Sequence, residues 1–184
     1  MKFTNVPIIS MNSFTVAGLP VAQPRARARA FAVGGKMMAR VYEPQDAGLT
    51  KKGTGVTQWR HEVKVRFEES GITYFDGPVG VNIAFFFPRP GRFSRPTDII
   101  QRKGAYPPGP IPMTTKPDRD NLDKAVLDSL KGIAWKDDNQ VFVGTIEKYY
   151  CALPLTEELK PLSVPHAVIQ IIHYLKPEDC RKKE

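Results

Sequence analysis

Cysteine is scarce: the 184 residues hold two, Cys151 and Cys180. Two thiols cannot build a disulfide framework, and both are read as reduced. With no CxxC pair and only three scattered histidines, the chain offers no zinc-ligand spacing. Long apolar runs are also missing, since none approaches the ~20 residues that span a bilayer. The first residues, MKFTNVPIISMNSFTVAGLP, are interrupted by polar side chains and make a poor secretory signal. The chain is therefore expected to be cytoplasmic, with no membrane contact. Acidic residues are rare in one region only. Residues 1–66 hold 11 Lys and Arg against 3 Asp and Glu, whereas 67–184 hold 16 of each, so the net charge of +8 lies in the N-terminal third. A field of that kind favours a polyanionic partner, because each phosphate contact releases condensed counterions.

What is present suits one domain over residues 1–184. A first strand is expected at 13–22. In Gln23–Ala30, Arg25, Arg27 and Arg29 fall at every second position, which in an extended segment puts them on one side. This basic N-terminal arm, about 20–57, continues through Arg40 and a Gly-rich loop carrying Lys51 and Lys52. Val56, Trp59, Val63 and Phe67 form the stripe of an amphipathic helix at about 57–69, ended by Gly71. Residues 78–87 alternate as a strand, and the consecutive Phe85, Phe86 and Phe87 are material for core or interface, core by default. Residues 88–117 hold eight prolines, six Lys or Arg and one Asp, so a long basic loop without a packed core is expected. A second helix at about 118–131 buries Leu122, Ala125, Val126 and Leu130 and stops at Gly132. Strands at about 140–151 and 166–175 precede a solvated tail at 176–184. Helices and strands mix without regular βαβ alternation, which defines a compact α+β domain: a mixed sheet packed against two helices. His61, His166 and His173 stand apart and are assigned to surface or sheet packing.

The densest chemistry lies in 116–141, KPDRDNLDKAVLDSLKGIAWKDDNQV, with Asp118, Asp120, Asp123, Asp128, Asp137 and Asp138. At 100° per residue Asp120, Lys124 and Asp128 stack on the side away from the apolar stripe. Trp135 is expected to anchor the following turn and to bring Asp137-Asp138 back toward the helix start. Gathered carboxylates repel and raise one another's pKa, a conflict that a bound divalent cation removes. Mg²⁺ takes hard oxygen ligands, polarises a phosphoryl oxygen and lowers the pKa of bound water. A lysine beside it stabilises transition-state charge. The plainer reading stays open on spacing alone: Asp118 as a helix cap, Asp120–Lys124 as an i,i+4 ion pair, Asp137-Asp138 as turn residues.

This segment resembles the signature of RusA-like Holliday junction resolvases, small dimeric Mg²⁺-dependent endonucleases of bacteria and their phages. The matching residues are Asp118, Asp120, Asn121 and Leu122, then Lys124, Asp128, Leu130, Trp135, Asp137-Asp138 and Gln140-Val141, within about 26 positions. The order of the expected elements agrees with that family as well. The resemblance implies that Asp118, Asp120 and Asp138 hold Mg²⁺, with Mn²⁺ as a substitute, that Lys124 assists, and that Asp138 is favoured over Asp137 within the pair. It also implies a homodimer acting on four-way DNA junctions and a nick carrying a 5′-phosphate and a 3′-hydroxyl. Arg25, Arg27, Arg29, Arg40, Lys51 and Lys52 are the candidate DNA contacts, with Arg89, Arg92 and Arg95 in the Pro-rich loop. The 88–117 loop and the N-terminal arm are long for the family. The enlarged loop motivates one alternative, a nuclease of broader branched or flap substrates, and the +8 charge of the arm another, a non-catalytic DNA-binding module whose aspartates only make ion pairs.

Overall fold

The computed structural model describes residues 6–25, 27–42, 55–91, 108–176 and 178–179. Among these, the chain forms β1 (Ile8–Ala17), β2 (Arg27–Val33), β3 (Lys36–Tyr42), α1 (Val56–Glu69), β4 (Val79–Phe87), β5 (Ile111–Pro112), α2 (Arg119–Leu130), β6 (Val141–Val143), β7 (Ile146–Tyr150) and β8 (His166–Tyr174).

The apolar alternation of β4 places it inside the main sheet, whose order is β1-β8-β4-β7-β5, with β6 also pairing β4. β8 runs antiparallel to β4 and β1, whereas β6 and β7 run parallel to β4. A parallel return needs a crossover, and α2 lies within it. Val81, Ile83 and Phe85 share one buried face with Ile169 and Ile171 of β8 and with Phe14 and Val16 of β1. The helices close that core. α1 contributes Val56, Trp59, Val63 and Phe67, and α2 contributes Leu122, Ala125, Val126 and Leu130, each 0% exposed. Removing each large α2 side chain from water contributes roughly 1.5–3 kcal/mol. The Arg60 guanidinium donates to the Asp128 carbonyl at 3.0 Å and ties α1 to α2. No helix among the described residues is long and apolar enough to cross a membrane.

The mixed sheet and both helices match the sequence expectation. Three details differ. The first strand spans Ile8–Ala17 rather than 13–22, because the Pro20 and Pro24 flanks cannot donate to a ladder whereas 8–17 pairs along the whole of β8. The strand expected at 140–151 is broken into β6 and β7, and between them Asn82 Oδ1 accepts from the Thr145 N–H at 2.9 Å. The Pro-rich segment 88–117 does reach the core: Ile111 is 3% and Met113 8% exposed, and β5 pairs with β7. Proline density hid two apolar residues that a two-residue pairing with β7 and the Met113 N–H on the Lys148 carbonyl bring inside. Residues 92–107, with Arg92 and Arg95, lie outside the described residues, as do Lys51, Lys52 and Cys180. Cys151 is buried, and desolvation pushes its thiol up to about 11. His166 and His173 are buried in the sheet, stacked on Phe86 and Phe75, and His61 is exposed. Phe85 and Phe87 face the helices, while Phe86 stacks on Tyr149 and His166.

Candidate active site

The start of α2 is pinned before its first residue. The Lys148 ammonium of β7 donates to the carbonyls of Thr115 at 2.8 Å and Pro117 at 2.7 Å. Asp118 then takes the N-cap position with extended backbone, yet its carboxylate makes no cap hydrogen bond. It accepts instead from the Arg25 guanidinium at 3.2 Å, and the same nitrogen lies 3.7 Å from Asp120 Oδ2. Arg25 is held there because the N-terminal arm docks on the helix: the Gln23 N–H donates to the Asn121 carbonyl at 2.8 Å and Gln23 is buried. Two of the plainer readings therefore fail. Asp118 is not used as a cap, and among the described residues Asp120 makes its ion pair with Arg25 rather than with Lys124. Lys124 is exposed one turn after Asp120.

The second half of the site is set by Trp135. After α2, Gly132 adopts φ 80°, a left-handed turn that a β-carbon would strain. The chain folds back with the Gly132 N–H on the Trp135 carbonyl at 2.7 Å. Trp135 is fully buried, and its indole N–H donates to Asp138 Oδ1 at 3.0 Å. The neighbouring Asp137 is turned elsewhere. It accepts from the Asn139 N–H at 3.2 Å and pairs with Lys131 at 2.5 Å, which pulls its carboxyl below the usual range and raises Lys131. Gln140 completes this turn by accepting from the Lys136 and Asp137 N–H groups and donating to the Gly77 carbonyl. The plain reading holds for Asp137 and separates it from Asp138.

The expected return of Asp138 was toward the helix start; the contact with α2 that the structure gives is an electrostatic one, with Asp123. Burial pushes the Asp123 carboxyl up; Arg119 opposes this and the charge of Asp138 adds to it. Asp123 is the residue that sequence reasoning left unassigned. Its signal was available, since i+3 from Asp120 is the same helix face. Two acidic pairs thus lie along α2, Asp118 with Asp120 and Asp123 with Asp138. Among the described residues no three Asp, Glu, His or Cys side chains converge as a ready-made metal cage. The donor chemistry nevertheless suits a hard divalent cation, because every candidate is a carboxylate oxygen, and the Arg25 guanidinium already stands in as the cation between Asp118 and Asp120.

The remaining candidate DNA contacts fall on the arm. Arg27 and Arg29 lie in β2 and Arg40 in β3, and Arg29 pairs directly opposite Arg40.

The site is thus a row of acidic side chains on the second helix of a mixed-sheet domain, with a basic arm docked across the helix start. The family model for the endodeoxyribonuclease RusA matches residues 17–157. The chain is also 31% identical over 144 residues to the uncharacterized protein YqaN of Bacillus subtilis (strain 168), covering 78% of this chain and 91% of that protein. The protein belongs to the RusA endodeoxyribonuclease family.

Proposed function

We propose that the protein is a Mg²⁺-dependent endonuclease that resolves four-way DNA junctions by paired nicking, as a homodimer. The observation that carries this reading is the gathering of a cation by Asp118 and Asp120 at the start of α2. Asp118, Asp120 and Asp138 would hold the metal, which when bound neutralises phosphate charge and lowers the pKa of a bound water. The chain's own side chains supply the rest. Trp135 holds Asp138 by one oxygen. Lys124, on the exposed face of α2, stabilises negative charge developing on the phosphate. A water's oxygen bonds to phosphorus as the bond to the 3′ oxygen breaks, leaving a 5′-phosphate and a 3′-hydroxyl. A junction has two equivalent strands to cut, and a C₂ dimer supplies two centres related as those strands are.

Synthetic four-way junctions, flaps and linear duplexes, each with Mg²⁺ or EDTA, test the proposal. Symmetric nicks confined to the junction and to Mg²⁺ are expected. Equal rates on all three substrates would remove junction preference, and tight binding without any metal-dependent cutting would leave a DNA-binding module.

Arg25 gives a further expectation. Its side chain is 69% exposed, and those of Asp118 and Asp120 are 47% and 72% exposed, so the pair contributes little and yields readily to a dication. Arg25→Gln should tighten Mn²⁺ binding by about twofold to fivefold, measured by electron paramagnetic resonance, since the competing charge is worth at most about 1 kcal/mol. Weaker or unchanged Mn²⁺ binding would place the metal away from Asp118 and Asp120.

A further inference from the structure

Among the described residues β2 and β3 pair only with each other, and Gly34 and Gly35, at φ 57° and 77°, form the tight turn that joins them. An isolated two-stranded ribbon is marginal in water. This one adds burdens. Arg29 and Arg40 stand directly opposite each other, and like charges so placed destabilise a ladder. Residues 27–42 contain Arg27, Arg29, Lys36 and Arg40 and no acid. The next rung on the same face pairs Phe31 with Met38, 38% and 52% exposed, and the following one pairs Val33 with Lys36. The opposite face is alanine with Met37 and Val41. The ribbon thus carries an apolar rung between two cationic ones on one face, each step about 7 Å along the strand. Its root is the docked arm: Gln23 on Asn121 and Arg25 on the Asp118–Asp120 pair. In sequence, β2 begins two positions after Arg25.

A polyanion with exposed stacking surfaces answers each feature. We infer that the β2–β3 ribbon is the element that recognises the branch in DNA: Arg29, Arg40 and Lys36 contact phosphates, and Phe31 with Met38 stacks on the base step opened at the branch point. A two-stranded ribbon fits a DNA groove, and apolar side chains are used to wedge base steps apart. The inference rests on the junction-nuclease reading for its substrate. It is tested by binding, in EDTA, so that it stands or falls whether or not the protein cuts.

Two paired variants of the full chain separate the roles, both distant from the core. Arg29→Gln with Arg40→Gln should weaken binding to junction and duplex alike and lower the slope of log affinity against log salt by about two for each protomer on the DNA. Phe31→Ala with Met38→Ala should keep duplex affinity and that slope, lower junction affinity by about tenfold, and abolish the fluorescence rise of 2-aminopurine at the branch point. Wild-type affinity and fluorescence in both variants would overturn the inference. So would equal losses on junction and duplex in the apolar pair, or a shift from dimer to monomer in sedimentation, which would make the ribbon a contact between copies of the chain. Cleavage by the unaltered protein is scored separately. If it cuts junctions while the variants match it, the ribbon assignment alone fails; if it cuts none, the nuclease reading fails.

Discussion

Asp120→Asn should lose Mg²⁺-dependent cleavage by about three orders of magnitude or more while binding a junction at least as tightly as the unaltered protein. The substitution keeps the shape of the side chain and removes one charged oxygen donor. Several kcal/mol of transition-state stabilisation are drawn from a metal held at such a site, and each 1.36 kcal/mol is tenfold in rate. Binding is spared because the removed charge is negative and faces the phosphates. Its loss also relaxes one of the two contacts of Arg25, at 3.7 Å. The fold is spared because Asp120 is exposed and makes no cap bond. Asp128→Asn is the matched control. It removes an aspartate from the same helix, two turns on, where the nearby cation is Lys131, and it should leave cutting close to normal. Single-turnover cleavage of a labelled junction, beside a binding titration in EDTA, measures both. Normal cutting by Asp120→Asn, or equal losses in both variants, would show that the start of α2 is not the reacting end of the helix.

The comparison of these two aspartates shows where the sequence was legible. Helical periodicity is a local property, so the buried stripe of Leu122, Ala125, Val126 and Leu130 and the exposed face of Lys124 could be read from spacing. The alternation of β4 was equally plain, because both partners of a central strand ask for the same side chains. What spacing could not give was pairing at a distance. Arg25 lies 93 positions from Asp118, and nothing near either residue announces the contact. Arg29 and Arg40 were read as members of one basic arm, but their direct opposition depends on a register that Gly34 and Gly35 fix. The burial of Ile111 and Met113 was masked by neighbouring prolines, whose effect on composition outweighed two positions that a short pairing with β7 brings inside. Asp123 was missed for a different reason. One helix turn links it to Asp120, but the return of Asp138 beside it is decided by where Trp135 packs.

Trp135 is therefore expected to affect both stability and chemistry, and two substitutions separate them. It is the largest fully buried side chain in the structure. Trp135→Ala should cost about 3–5 kcal/mol through the cavity left behind. For a chain of this length that lowers Tm by roughly 6–20 °C, and loss of site geometry would follow from a loosened turn. Trp135→Phe is the informative variant. The ring still fills most of the space, and the lost contact is one hydrogen bond from the indole to the Asp138 carboxylate at 3.0 Å. A bond to a charged group is worth about 1.5–3 kcal/mol, and half-burial of Asp138 lets water replace part of it. The Tm should thus fall much less than in Trp135→Ala. Metal affinity and cleavage should still drop by about 10- to 100-fold, the usual effect of removing a group that orients a metal-binding side chain. Mn²⁺ titration beside thermal unfolding reads the two effects independently. A folded Trp135→Phe protein that binds Mn²⁺ as the unaltered chain does would mean that the indole does not set Asp138 for metal, and Asp138 would leave the site.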